Sequence, residues 1–223
     1  MSENNQEVNP VKPKTDILSN LEAIKRELFI GVGVLVIAAI GYGSYSWMQT
    51  RKEIKTNEAY YKIKLQNNFV KDQKGLSEKA AQEAVKSFVL SHKDSAVAKE
   101  AALDLAKYFD AQKDYQAAYE ALSLVKNFKA DNLLDSLYQY RLAVSMQKTD
   151  KCQDAIEIFG QLAANRNFTQ LNAPSLLQKA LCFETMNQKA KAISTYENII
   201  TTFGDTDIGK TAEKYLVLLK MGA

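Results

Sequence analysis

Histidine occurs once in this chain, cysteine twice and proline three times. Two cysteines supply neither a metal framework nor a disulfide-dense scaffold. No glycine-rich phosphate loop and no metal-ligand spacing is present. Pro10 and Pro13 lie near the amino terminus, so helix breakers are almost missing from the remainder. Strand-like alternation never persists beyond a few residues. Charge of one sign is also scarce: 29 Lys and Arg stand against 26 Asp and Glu, a net charge of +3. That balance is too mild and too evenly mixed for nucleic-acid binding, which needs basic residues gathered on one face. The carboxylates are interleaved with lysines. His92 sits in a Ser-His-Lys-Asp turn and reads as a solvated loop residue. These absences leave no catalytic, metal or cofactor site, and the chain reads as a non-enzymatic protein.

One stretch lacks charge altogether. Leu28 to Trp47, LFIGVGVLVIAAIGYGSYSW, holds twenty residues without Asp, Glu, Lys, Arg or His. As a helix rising 1.5 Å per residue it spans roughly 30 Å, the thickness of a bilayer's hydrocarbon core. Its apolar residues favour insertion by several kcal/mol in total, at about −0.3 to −0.6 kcal/mol each near the centre. Tyr42, Tyr45 and Trp47 gather at one end, where amphipathic rings favour the headgroup level. Ala39 and Gly43 have the small-xxx-small spacing that lets helices approach. A core helix of a soluble domain would show a polar stripe, and none is present. A cleaved signal peptide is the stronger competitor, because the densest run, Leu28 to Ile40, is signal-sized. The unbroken passage into a polar helical pattern favours an uncleaved anchor.

The chain therefore divides into a polar tail (1–27), a transmembrane helix (28–47) that places it in a lipid bilayer, and a helical domain (48–223). In the tail, Ile17, Leu18, Leu21 and Ile24 share one helical face, with Ser19 and Glu22 at capping-box spacing. This fits either a short amphipathic helix on the membrane surface or the first turns of the anchor helix. Basic residues flank both ends, Lys14, Lys25 and Arg26 against Arg51, Lys52, Lys55 and Lys62, so charge alone sets no orientation.

The domain repeats itself with a period of 37: Ala106, Ala143 and Ala180 are in register, as are Ala118, Ala155 and Ala192. Phe109, Met146 and Phe183 lie between them; Leu122, Phe159 and Tyr196, then Val125, Leu162 and Ile199, lie beyond. Large, small and large again at fixed offsets is what stacked helical hairpins require. The small-aromatic-Ala-aromatic order, seen in LAKYFDAQKDYQAAYEAL, resembles the tetratricopeptide pattern, whose usual repeat is about 34 residues. The extra residues fall in the loops around Asn127 to Asp135 and Ala164 to Pro174. The expected fold is all-α: one transmembrane helix, then a tetratricopeptide-like solenoid of about four hairpins (about 48–91, 99–132, 136–169 and 173–205) closed by a capping helix (206–221). Ser77 to Leu90 would be the second helix of a degenerate first repeat, whose first helix has no small residue at Phe69.

In such repeats the first helix of each hairpin lines the concave side. The offsets place Leu103, Lys107, Tyr140, Val144, Leu177, Leu181 and Glu184 there, and an exposed apolar groove commonly marks a partner site. The competing reading is that the helix from the anchor, or the terminal helix, covers that face. Cys152 opens the second helix of one repeat and Cys182 lies late in the first helix of the next, at the same end of the stack. In an oxidising compartment they could pair if their Cα atoms lie within about 7 Å; otherwise they are two thiols filling small gaps.

The whole layout, with LEAIKREL before the anchor and AYYKIKLQNNF after it, resembles the ancillary SecYEG translocon subunit family of Gram-negative bacteria. The resemblance implies a single-pass inner-membrane protein with a cytoplasmic amino terminus and periplasmic repeats. It implies association with the SecYEG translocon and with a membrane-anchored periplasmic prolyl-isomerase-type chaperone, handing exported chains onward without catalysis. It carries no functional residues across. An adaptor of another envelope complex, in division or outer-membrane assembly, is the alternative.

Overall fold

The structure, a computed structural model, describes residues 15–67, 78–125 and 132–222, with the side chains of 15–24 and 26–28 left aside. The tail 1–14, the face formed by Ile17, Leu18, Leu21 and Ile24, the Ser19–Glu22 pair, Phe69, Gly75 and the loop residues 127–131 lie outside the described residues. Among the described residues the secondary structure is nine α-helices and one short 3-10 turn, with no strand. The chain divides into two compact units, Met1–Lys52 and Glu53–Ala223.

The first unit holds most of α1 (Thr15–Gln66). From Phe29 onward this helix is long and apolar enough to cross a membrane, with a mean hydropathy of 1.7 and none of the apolar window buried. Phe29, Leu35 and Ile37 are each at least 70 % exposed, whereas a soluble core helix would hide them. Arg51 lies over the Trp47 ring at 4.4 Å, a cation–π pair at the polar end of the apolar stretch.

The second unit is a run of antiparallel hairpins. The last turns of α1 and α2 (Lys79–Ser91) make the first. Tyr60 is buried, stacks on Phe88 with ring centroids 5.2 Å apart, and donates to Asp104 Oδ2 at 2.7 Å. Three further hairpins follow: α3 (Ala96–Ala111) with α4 (Tyr115–Ser123), α5 (Leu133–Lys148) with α6 (Cys152–Ala163), and α7 (Asn172–Thr185) with α8 (Lys189–Phe203). A terminal helix, α9 (Asp207–Met221), packs on α8. Ser95, Asp114, Asn132 and Thr206 cap their helices, each side-chain oxygen accepting a backbone N–H three residues on. Asn132 therefore starts α5 inside the stretch expected as loop.

All six register alanines are buried, which lets the paired helices cross closely. The bulky positions form three contiguous clusters. The first joins the first two hairpins to Tyr138 and Leu142. The middle one holds Ala143, Cys152, Ala155, Phe159 and Cys182. The last holds Ala180, Phe183, Ala192, Tyr196, Ile199 and Ala212. Gly209 sits where a Cβ would collide with the Phe203 carbonyl, so the turn from α8 into α9 requires glycine.

A further regularity lies in the turns. Lys113, Asp150 and Asn187, spaced by the same 37 residues, have φ of 61°, 60° and 56°. The N–H of the following residue reaches back to Phe109, Met146 or Phe183, with N–O distances of 3.0, 2.9 and 2.8 Å. This is the Schellman arrangement that ends a helix in the left-handed region, usually on glycine. Lys113 carries a Cβ penalty there of about 1 kcal/mol. Replacing Lys113 by Gly is expected to raise the melting temperature of the domain by roughly 2–4 °C in a calorimetric scan, the gain per kcal/mol in a domain of this size. An unchanged or lower value would show that the backbone relaxes around lysine without strain.

Candidate functional site

The first helices of successive hairpins touch in series, α3 with α5 and α5 with α7. Charged pairs run between them. Lys64 on α1 lies 2.9 Å from both Glu100 and Asp104 on α3. Lys99 on α3 pairs with Asp135 on α5, both side chains nearly covered. Lys148 on α5 returns to Asp110 on α3 at 3.3 Å. Partners that are part-buried and shared between neighbours fix the stagger of the helices more than an isolated surface pair would.

Between α3 and α5 opens a cavity of about 270 Å³. Leu103, Ala106, Leu122 and Leu137 form its apolar floor. Lys107 and Arg141, both exposed, stand at the rim with Asp104 and Asp110. The two carboxylates are already held by Lys64 and Lys148, so the rim offers a ligand more positive than negative charge. Such a floor and rim suit an apolar side chain with a carboxylate beside it. A wider opening of about 590 Å³ lies at the other end of the stack, lined by Glu184, Asn187, Lys189, Tyr215, Leu218 and Leu219.

The seven residues expected on the inner face are placed as follows. Leu103 and Lys107 line the first cavity, and Glu184 lines the second. Tyr140 and Val144 are half-buried against the middle cluster, where Tyr140 meets Phe159 edge-on with centroids 6.0 Å apart. Burial raises the Tyr140 phenol above its ordinary value, partly opposed by a hydrogen bond with Gln178 and the charge of Arg141. Leu177 is half-buried against the last cluster, and Leu181 is half-buried on α7. Glu184 accepts a short hydrogen bond from the Tyr196 hydroxyl.

Periodicity alone missed Leu137 and Arg141. Leu137 and Arg141 lie four residues apart, so they share one face of α5, and that spacing was the available signal. His92 also differs from the expectation of a solvated loop residue. It is half-buried at the end of α2, its ring stacked on Phe88 at 4.5 Å and its Nδ1 2.9 Å from the Phe88 carbonyl. A carbonyl oxygen only accepts, so Nδ1 is the donor and the ring closes the helix end.

Cys152 and Cys182 are both buried, with their Sγ atoms 2.6 Å apart across the α6–α7 contact. No cluster of His, Cys, Asp or Glu able to hold a metal is present among the described residues.

No curated protein and no solved structure matches the chain. The family model of the tetratricopeptide repeat-like domain matches residues 23–206, from before the apolar stretch through the fourth hairpin. With a match of that length and a stack of helical hairpins behind it, the chain belongs to the tetratricopeptide repeat-like domain family.

Proposed function

We propose that this protein is a non-enzymatic, membrane-anchored scaffold for protein–protein contacts, working as an ancillary subunit of the SecYEG translocon. The apolar stretch of α1 crosses the inner membrane once, with the amino terminus cytoplasmic and the repeats in the periplasm. Exported chains are met there and passed to a membrane-anchored prolyl-isomerase-type chaperone. The observation that carries the reading is that one family match includes both an uncovered apolar helix of membrane length and a stack of hairpins. Anchoring raises the effective concentration of the repeats beside a channel, so weak contacts suffice. The α3–α5 cavity, with its apolar floor and cationic rim, is the proposed contact for chain segments. Leu181, half-buried on α7, is the next residue of the expected face, while Tyr140, Val144 and Leu177 pack into the core beside it.

Photo-crosslinking in intact membranes tests the two halves separately. A probe replacing Ile37, whose side chain is 73 % exposed, is expected to give adducts with SecY. One replacing Leu137 is expected to capture exported chains or the chaperone. Absence of SecY adducts from the first position would refute the translocon role. A domain digested by protease added to intact cytoplasm-facing vesicles would refute the orientation.

A further inference from the structure

The two cysteines lie on consecutive hairpins, Cys152 as the first residue of α6 and Cys182 within α7. Their sulfurs are 2.6 Å apart, and both residues belong to the middle cluster between the two larger ones. Two thiols that merely fill a gap would rest near van der Waals separation. Here an adjustment of about half an ångström reaches the S–S bond length of about 2.05 Å. We propose that Cys152 and Cys182 form a buried intrachain disulfide that staples the second register repeat to the third. It rests on the periplasmic placement proposed above, since such a bond persists only in an oxidising compartment, but not on the association with SecYEG.

The chemistry requires a disulfide-bearing oxidant, either a thiol–disulfide oxidoreductase or glutathione disulfide. One cysteine thiolate attacks a sulfur of the oxidant, whose S–S bond breaks, leaving a mixed disulfide and one reduced thiol. The second cysteine thiolate then attacks the first cysteine's sulfur and releases the oxidant's remaining thiol. Two electrons and two protons pass from the chain to the oxidant. Cys152 is 3 % exposed and Cys182 0 %, so the folded domain gives an oxidant no approach. Burial, reinforced by the neighbouring Cys152, also holds the Cys182 thiol well above its ordinary pKa. The bond therefore forms while α6 and α7 are assembling and is afterwards shielded from reductant. The covalent link spans the contact on which the two halves of the repeat stack depend.

The full chain in detergent, refolded once with a glutathione redox buffer and once with dithiothreitol, tests this. Maleimide-polyethylene glycol added after denaturation counts free thiols. The oxidised sample is expected to take up none and to run as a monomer on a non-reducing gel, while the reduced sample takes up two. A peptide map should contain Cys152 joined to Cys182. The oxidised form should melt roughly 5–15 °C above the reduced form, the effect of closing a loop of about 30 residues. In the Cys152→Ala, Cys182→Ala variant that difference should vanish. Two reactive thiols after oxidative refolding, a disulfide-linked dimer, or identical melting of the two wild-type samples would each overturn the proposal. Thiol counting needs only the wild-type chain, so the test survives a variant that folds poorly.

Discussion

Replacing Phe159 by Ala is expected to lower the melting temperature of the repeat domain by roughly 6–20 °C, the effect of losing about 3–5 kcal/mol. Phe159 is wholly covered and is the largest side chain of the middle cluster. Its ring meets Tyr140 across the α5–α6 contact and lies among Ala143, Ala155 and the two cysteines. Alanines that let the helices cross closely leave little on either side to collapse into the hole, which puts the cost toward the upper end of the range. Total stabilities of about 5–15 kcal/mol make that a large share. Repeat stacks are held by nearest-neighbour contacts, so the loss should also separate the chain into two cooperative parts. Amide hydrogen exchange should quicken in α7–α9 before α3 and α4 respond. Uniform loss of protection along the whole domain would show that the stack behaves as one unit.

Alkaline pH is expected to unfold the domain steeply, and the sign follows from the buried phenols. Tyr138 and Tyr196 are wholly covered, and both hydroxyls are raised far above the ordinary value near 10. Burial is the cause for Tyr138, whose hydroxyl donates to the Leu122 carbonyl. For Tyr196 burial comes first, followed by its hydrogen bond to the Glu184 carboxylate and that group's charge. A phenol that ionises in the unfolded chain near pH 10 but stays protonated in the folded one favours folding fully below that pH. The contribution is lost as pH rises above it. Two such groups give a fall of up to about 2.7 kcal/mol per pH unit. Tyr138 carries the firmer share, because Tyr196 stacks on Tyr215, which is 37 % exposed. In the reduced protein the Cys182 thiol, also raised by burial, acts in the same direction. Tyrosinate absorbance and helical circular dichroism, followed together from neutral pH upward, should show late phenols ionising only as helix is lost. Complete phenol ionisation with the helices intact would contradict it.

Much of this architecture was legible because its signals are local. An uncharged run of twenty residues is a property of the sequence alone, and so is a 37-residue spacing of alanines between bulky residues. The six alanines could be read as helix crossings because close packing excludes larger side chains wherever two helices meet. The first hairpin was harder. The register position of its first helix, Phe69, lies outside the described residues, and Tyr60 is buried through contact with Phe88 and Asp104 far along the chain. The inner face was partly legible. Leu103 and Lys107 line a cavity, but Tyr140 and Val144 lean into the core against α6, which an offset within one helix cannot reveal.

By itself the sequence determined the all-helical class, the long apolar segment, the repeat and the small residues at its crossings. Each depends on composition and spacing within a few turns of helix. Tertiary structure decided the rest. It set the charged links between successive first helices, the cavity shared by Leu103 and Leu137, and the meeting of Cys152 with Cys182. Those features join residues about 30 to 40 positions apart, and such separations close only when the hairpins have stacked.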